Sequence, residues 1–226
     1  MWKDRTESLI GKEGVEKLQN SHVCVIGIGG VGGYVCTMLA RAGIENITLV
    51  DFDKVDETNI NRQVVANTET VGKLKTEIMK QMILKINPSC NVDIFSERFN
   101  NQLADKLFKK NFDYVVDAID SVNDKVDLIV YCKTRKINII SAMGAGNRKN
   151  IPQFSVTDIY KTSNDGLAKV MRKKLREREI LSLDVVTSIE KAEKITQKTI
   201  GSIVYYPAMC GCVLAAFVIN KLIEKE

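Results

Sequence analysis

The stretch Val23-Cys24-Val25-Ile26-Gly27-Ile28-Gly29-Gly30-Val31-Gly32 decides the fold. A short apolar run enters a glycine cluster, and a helix-like stretch follows from Val31 to Ala42. A second apolar run, Ile47-Thr48-Leu49-Val50, ends at Asp51. Strand, tight turn, helix and strand make a βαβ unit. Gly27, Gly29 and Gly32 form G-x-G-x-x-G, with Gly30 inside it, in the strand-to-helix context that a phosphate-binding turn requires. Such glycines let the backbone approach a phosphate, and the helix N-terminus supplies N–H donors and the positive end of its dipole. Asp51 closes the second strand, where a carboxylate can grip ribose hydroxyls. Taken alone, the motif suggests a dinucleotide and an NAD-dependent oxidoreductase, or a tight turn that binds nothing.

The alternation continues outward. Lys73–Ile86 reads as a helix stopped by Asn87-Pro88, Val92–Phe95 as a strand and Asn101–Lys110 as a helix. Tyr114–Asp117 and Asn138–Ser141 read as strands flanking a helix over Val122–Lys136. Beyond Gly144 the texture changes. Short strands are expected near Phe154–Ile159, Val185–Ser188 and Ser202–Tyr205, and a last apolar helix over Met209–Ile223. The expected class is α/β: a Rossmann-like, mainly parallel sheet with helices on both faces, extended by additional strands and a C-terminal helix. We read residues 1–226 as one domain, with a nucleotide-binding half over about 20–145 and a second half over about 146–226.

The 226 residues are 45% hydrophobic and 27% charged, the profile of a globular chain that can bury a core without metal or disulfide staples. The longest apolar stretch, Cys210–Ile219, is shorter than a membrane span, and the N-terminus lacks an apolar signal region, so a cytoplasmic protein is expected. A net charge of +5 permits an anionic partner without demanding one. The 6 cysteines include no C-x-x-C pair, which argues against a structural zinc tetrad. Cys210-x-Cys212 reads first as buried helix residues. The single histidine, His22, is read as a surface or loop residue, which makes Ser-His-Asp and Cys-His mechanisms poor candidates.

Further motifs turn the reading away from NAD. Asp51-Phe52-Asp53 leads to Asn59-x-Asn61-Arg62-Gln63, then Gly72-x-x-Lys75, then Asp117-x-x-Asp120. Arg62 and Lys75 lie beyond strand ends, where two cations suit a leaving pyrophosphate better than an uncharged nicotinamide. Asp120 could reach a metal ion or the nucleotide. In order and spacing this set resembles the adenylating superfamily that activates ubiquitin-like and sulfur-carrier proteins, the ThiF, MoeB and HesA group. The resemblance implies that Gly27, Gly29, Gly30, Gly32, Asp51 and Asp53 hold ATP. It implies that Asn59, Arg62, Lys75 and Asp120 meet phosphates and Mg2+, with Asp120 as the metal ligand. Arg5, in Arg5-Thr6-Glu7, matches an N-terminal arginine that reaches the neighbouring subunit's ATP site, which implies a homodimer.

The second half narrows the choice. Ser141-Ala142-Met143-Gly144-Ala145-Gly146-Asn147, Asp158-Ile159-Tyr160-Lys161-Thr162 and Leu167–Arg176 resemble the bacterial tRNA threonylcarbamoyladenosine dehydratase branch. That branch uses ATP to cyclise the threonylcarbamoyl side chain of a modified adenosine in tRNA. Lys161–Glu179 holds seven basic and three acidic residues. Leu167, Met171 and Leu175 fall on one helix stripe, and Lys169, Lys173 and Arg176 on another. With Lys161 and Arg172 they make a candidate tRNA-binding face, since cationic helix faces suit phosphate backbones; a solvated face is the plain alternative. Gly144–Asn147 reads equally as a monovalent-cation or substrate loop and as a plain turn. Lys125 stands where many of the wider superfamily carry Arg, and the zinc and transfer cysteines of the protein-activating branches are not evident. The rival readings are a sulfur-carrier-protein activator, the oxidoreductase, and a tRNA-binding module without turnover. Assistance from a sulfur-transfer protein is left open.

Overall fold

The computed structural model describes residues 2–193 and 199–224. In chain order the elements are α1 (Asp4–Asn20), β1 (His22–Ile26), α2 (Gly32–Ala42), β2 (Asn46–Val50), α3 (Lys75–Ile86), β3 (Asn91–Phe95), α4 (Asn101–Leu107), β4 (Tyr114–Asp117), α5 (Val122–Thr134), β5 (Ile139–Ala142), β6 (Phe154–Asp158), α6 (Gly166–Arg176), β7 (Asp184–Ser188) and α7 (Tyr205–Ile223). The sheet has 7 strands in the order β3-β2-β1-β4-β5-β7-β6, all parallel except β6, which runs antiparallel to β7.

The central strands are apolar on both faces, as a sheet covered by helices on both sides must be. Val23 and Val25 of β1 face a core built with Leu18 of α1, Val35 and Leu39 of α2, Met79 of α3 and Leu214 of α7. Cys24 and Ile26 face the other, with Leu103 of α4, Leu128 of α5 and Met171 and Leu175 of α6. This period-two division of one strand sets which helices cover which face.

The α/β reading holds, with corrections at the ends. The strand expected at Ser202–Tyr205 is not formed. Val204 already has helical φ −46° and ψ −47°, and α7 begins at Tyr205. The β-branched and aromatic letters mimic a strand, but Pro207 sits in the first helical turn, where its missing N–H costs nothing. Helix α1 has no counterpart among the sequence expectations, and it kinks at Gly11, whose φ is 74°. α7 is longer than expected, and by length and composition alone it could cross a membrane. Yet Tyr206, Cys210, Leu214 and Val218 are buried in the core, which is how a soluble core helix also looks.

Candidate functional site

Strand order reverses between β1 and β4, and open α/β sheets bind ligands in the crevice outside the C-terminal ends of such a pair. The Gly27 N–H donates to the Val50 carbonyl (2.8 Å) and the Ala118 N–H to the Ile26 carbonyl (2.8 Å), so the glycine turn is pinned across adjacent strands. Gly27 has φ 91°, and a Cβ there would stand 2.6 Å from the Ala118 oxygen. A Cβ on Gly32 would lie 1.8 Å from the Gly27 oxygen, so the first turn of α2 packs backbone on backbone. Outside this turn lies a cavity of about 920 Å³, within the range of small-molecule sites.

The cavity gathers most of the residues the motifs single out. Gly27, Gly29, Gly30, Asp51, Asp53, Arg62, Lys75 and Asp120 line it; Gly32 does not, since its role is the close packing just described. The Asp51 carboxylate accepts from the Ile28 N–H (2.5 Å) and the Asp53 N–H (2.8 Å), which fastens the glycine turn to the end of β2. Burial pushes its carboxyl above the ordinary range, and those two donors offset only part of that. Lys75 is 5% exposed and its Nζ lies 2.8 Å from Asp53 Oδ2. Arg62 Nη1 donates to the Thr58 carbonyl (2.8 Å) and to Asn61 Oδ1 (2.9 Å), holding the guanidinium at the cavity wall. Asn59 is placed differently: its Oδ1 accepts from the Asp56 N–H (3.2 Å), closing a capping box on a short 3-10 turn away from the cavity. Arg5 is exposed in the first turn of α1 and is absent from the cavity wall of its own chain.

Several wall residues carry no role in the sequence reading. Gln63 is 8% exposed, and its Oε1 is a buried acceptor with no partner among the described residues. At the mouth, the Arg98 guanidinium lies 5.7 Å from the Phe52 ring centroid and bonds Asp124 (2.8 Å). Position just past β3 is the only sequence signal for Arg98.

Gly144, Ala145 and Gly146, and Leu167 of α6, also line the cavity. Asp165 caps α6 by accepting from the Ala168 N–H (2.9 Å), and Met171 and Leu175 are buried as the stripe requires. Leu167 is only half-buried, because it faces the cavity. Lys169, Lys173 and Arg176 are exposed, as is Lys161; Arg176 lies 5.0 Å from the Tyr160 ring centroid, and Arg172 bonds the Thr162 carbonyl (3.1 Å). Of α6, Leu167 lines the cavity, while the basic residues lie outside its lining.

Lys125 is not at the cavity. It is fully buried, with Nζ 2.8 Å from Asp117 Oδ2 and 3.1 Å from Ser141 Oγ. Asp117 Oδ1 accepts from the Ile119 N–H (3.0 Å), so this pair braces the turn that carries Asp120. All 6 cysteines are free thiols. Burial pushes the Cys210 thiol up to about 12, which keeps it protonated and unreactive at neutral pH, and Cys212 is half-buried with its thiol also raised by burial. His22 is half-buried at the head of β1, its Nε2 bonded to Thr48 Oγ1 (2.8 Å), so it is a packed strand residue rather than a loop one.

Residues 4–226 match the ThiF family. The tRNA threonylcarbamoyladenosine dehydratase of Bacillus subtilis is 38% identical over 238 residues, spanning 97% of this chain and 94% of that protein. The crystal structure of Escherichia coli tRNA N6-threonylcarbamoyladenosine dehydratase in complex with AMP superposes with a TM-score of 0.92 at 34% identity, covering 98% of this chain and 94% of that one. The same enzyme in complex with ATP gives 0.90 at 34% identity over the same shares.

Proposed function

The chain belongs to the ThiF family, and from that premise we propose that it is an ATP-dependent tRNA threonylcarbamoyladenosine dehydratase. One observation carries the reading beyond family membership. The cavity lined by the glycine loop, Arg62 and Lys75 is lined also by Gly144 and by Leu167 of the basic helix α6. Helix α6, whose exposed residues include Lys169, Lys173 and Arg176, therefore contributes a side chain to the same cavity as the glycine turn, which supports a nucleotide and a tRNA meeting there.

The threonyl carboxylate of the tRNA nucleoside attacks the α-phosphorus of ATP. The bond from that phosphorus to the bridging oxygen breaks, and pyrophosphate leaves. Arg62 and Lys75 offset the charge that develops on the phosphates, and Asp53 hands Lys75 over as the nucleotide enters. Asp51 accepts from the ribose with the lone pairs its backbone bonds leave. The ureido group then closes on the acyl-adenylate carbonyl, releasing AMP and a proton. That step is intramolecular, so the protein's task is holding geometry. It needs no enzyme nucleophile, which suits buried, protonated cysteines.

The donor set fits Mg2+, which takes one or two carboxylates together with substrate phosphates. Asp120 would hold it, with Asp124 also on the wall, and the ion would supply charge neutralisation between phosphates. In the dimer we infer, Arg5 completes the partner's ATP site; its exposure and its absence from its own cavity lining support this. Lys161, Lys169, Arg172, Lys173 and Arg176 hold the tRNA backbone. A monovalent cation at the Gly144 loop and a sulfur-transfer partner belong to the same reading as accessory components, and the cytoplasm as its location.

The test is nucleoside mass spectrometry under mild conditions, after incubating the protein with tRNA carrying threonylcarbamoyladenosine, ATP and Mg2+. A nucleoside lighter by one water, formed only with ATP, is expected. No mass change, with ATP still bound, would move the assignment to a carrier-protein activator.

A further inference from the structure

The buried pair Arg148–Asp165 belongs to neither the ATP-binding wall nor the basic face. Its members lie between the two. Arg148 is 5% exposed and Asp165 5%. The guanidinium spreads over three chain segments: Nε donates to the Glu190 carbonyl (2.9 Å), Nη1 to the Gly144 carbonyl (2.5 Å) and Nη2 to the Asn164 carbonyl (3.3 Å). Nη2 also lies 3.6 Å from Asp165 Oδ2. That same oxygen accepts from the Gly144 N–H (2.9 Å) and from Thr187 Oγ1 (3.2 Å), while Oδ1 caps α6. Gly144 is thus held at both its N–H and its carbonyl by one ion pair. A Cβ on Gly144 would come 3.0 Å from Asp165 Oδ1, so the carboxylate sits directly against the loop.

Well-packed apolar side chains of similar volume serve a core as well as a buried ion pair, whose advantage is that it fixes a unique register between the segments it joins. Here one segment is a wall of the ATP cavity, and the other is the first residue outside the helix whose exposed face is cationic. On the dehydratase reading, these two segments carry the two substrates.

We propose that Arg148 and Asp165 are positioning residues. They set the placement of α6 relative to the Gly144 loop, so that a nucleoside delivered by tRNA meets the α-phosphate of ATP in attacking geometry. Neither side chain touches a reacting atom. A small misplacement of two reactants lowers the rate steeply while leaving the separate binding interactions in place.

The experiment uses Asp165→Asn, which can keep the cap of α6 through its Oδ1, and which removes both the charge facing Arg148 and the oxygen that accepts from the Gly144 N–H. Single-turnover formation of the dehydrated nucleoside is measured, with separate binding of a non-hydrolysable ATP analogue and of tRNA. The rate constant is expected to fall roughly 10- to 100-fold, with both affinities within about threefold of the parent. Thr187→Val supplies a second perturbation without a charge change, removing the 3.2 Å bond that Thr187 Oγ1 donates to Asp165 Oδ2. It is expected to give the same signature in weaker form. A rate within about twofold of the parent for Asp165→Asn would overturn the positioning role. So would a rate loss matched by equal losses of both affinities, which is what mere unfolding produces. If the parent protein itself forms no dehydrated nucleoside, the dehydratase reading fails and the positioning role falls with it; product from the parent and from both variants at equal rates sinks the positioning role alone.

Discussion

Replacing Lys125 by Met tests whether the buried brace behind the Asp120 turn is a charge pair with no access to water. Both side chains are 0% exposed, and Asp117 Oδ2 accepts from Lys125 Nζ and from Ser141 Oγ (2.5 Å). Met fills nearly the same volume but leaves a carboxylate with hydroxyl and amide donors and no counter-charge. Removing one partner of a buried pair costs about 3–5 kcal/mol. In a chain of this length each kcal/mol moves the midpoint by about 2–4 °C, so a fall of roughly 6–20 °C is expected. Thermal unfolding followed by circular dichroism reads it directly. Adding Asp117→Asn should recover most of the loss, because the uncompensated charge goes with it. A midpoint for Lys125→Met within about 2 °C of the parent would refute the reasoning, since it would mean that water or another cation reaches Asp117.

Four further outcomes are expected. Burial first, then Lys110, holds the His22 imidazole below its ordinary value, so the unfolded chain takes the proton first. Stability should be intact above about pH 6.5 and fall as pH drops through the folded value; His22→Gln should flatten that part of a melting-temperature profile, and an unchanged profile would contradict it. Gly32→Ala cannot place its Cβ 1.8 Å from the Gly27 oxygen without moving the turn, so stabilisation by ATP in a thermal-shift assay should vanish; stabilisation equal to the parent's would remove the close packing from the explanation. Arg62→Ala should lower the rate of nucleoside dehydration by roughly 10²–10³-fold, as loss of a charge-stabilising donor does, and near-parental turnover would take Arg62 out of the site. Charge reversal at Lys169, Lys173 and Arg176 should weaken tRNA binding and reduce the salt slope by about 0.7–0.9 for each phosphate no longer neutralised, while an unchanged slope would leave α6 a plain solvated face.

The nucleotide half is legible because each of its signals is local. Strands covered on both faces must be continuous apolar runs, and a turn that brings Gly32 against Gly27 must be glycine-rich, so Val23–Gly32 announces itself. Arg62, Lys75 and Asp120 lie at fixed distances beyond strand ends and inherit their placement from them. Lys125 shows where this logic stops: four residues past Ser121 it turns back onto Asp117, and only the three-dimensional position of Ser141 completes its partners. Arg148 is further from reach still. In sequence it sits beside Lys149 as one more basic loop residue, and its partners on Gly144, Asn164 and Glu190 come from segments that only the folded chain assembles. The family resemblance implies a phosphate contact for Asn59, while its Oδ1 is bonded in the local turn.

The packing of α7 on α2 has a consequence for how the protein is made. A Cβ on Gly211 would stand 2.5 Å from the Val31 oxygen, so α7 seats its backbone against the very start of the helix that opens from the glycine turn. Synthesis runs from the N-terminus, and domains take shape in that order. The glycine turn is therefore written early but receives its rear support only once residues 205–223 have left the ribosome. A message cut short before Tyr205 yields a chain whose apolar α2 face lies bare, a mark for proteolysis rather than a half-working nucleotide binder. On the function proposed above, the nucleotide site is complete only in chains that include α7.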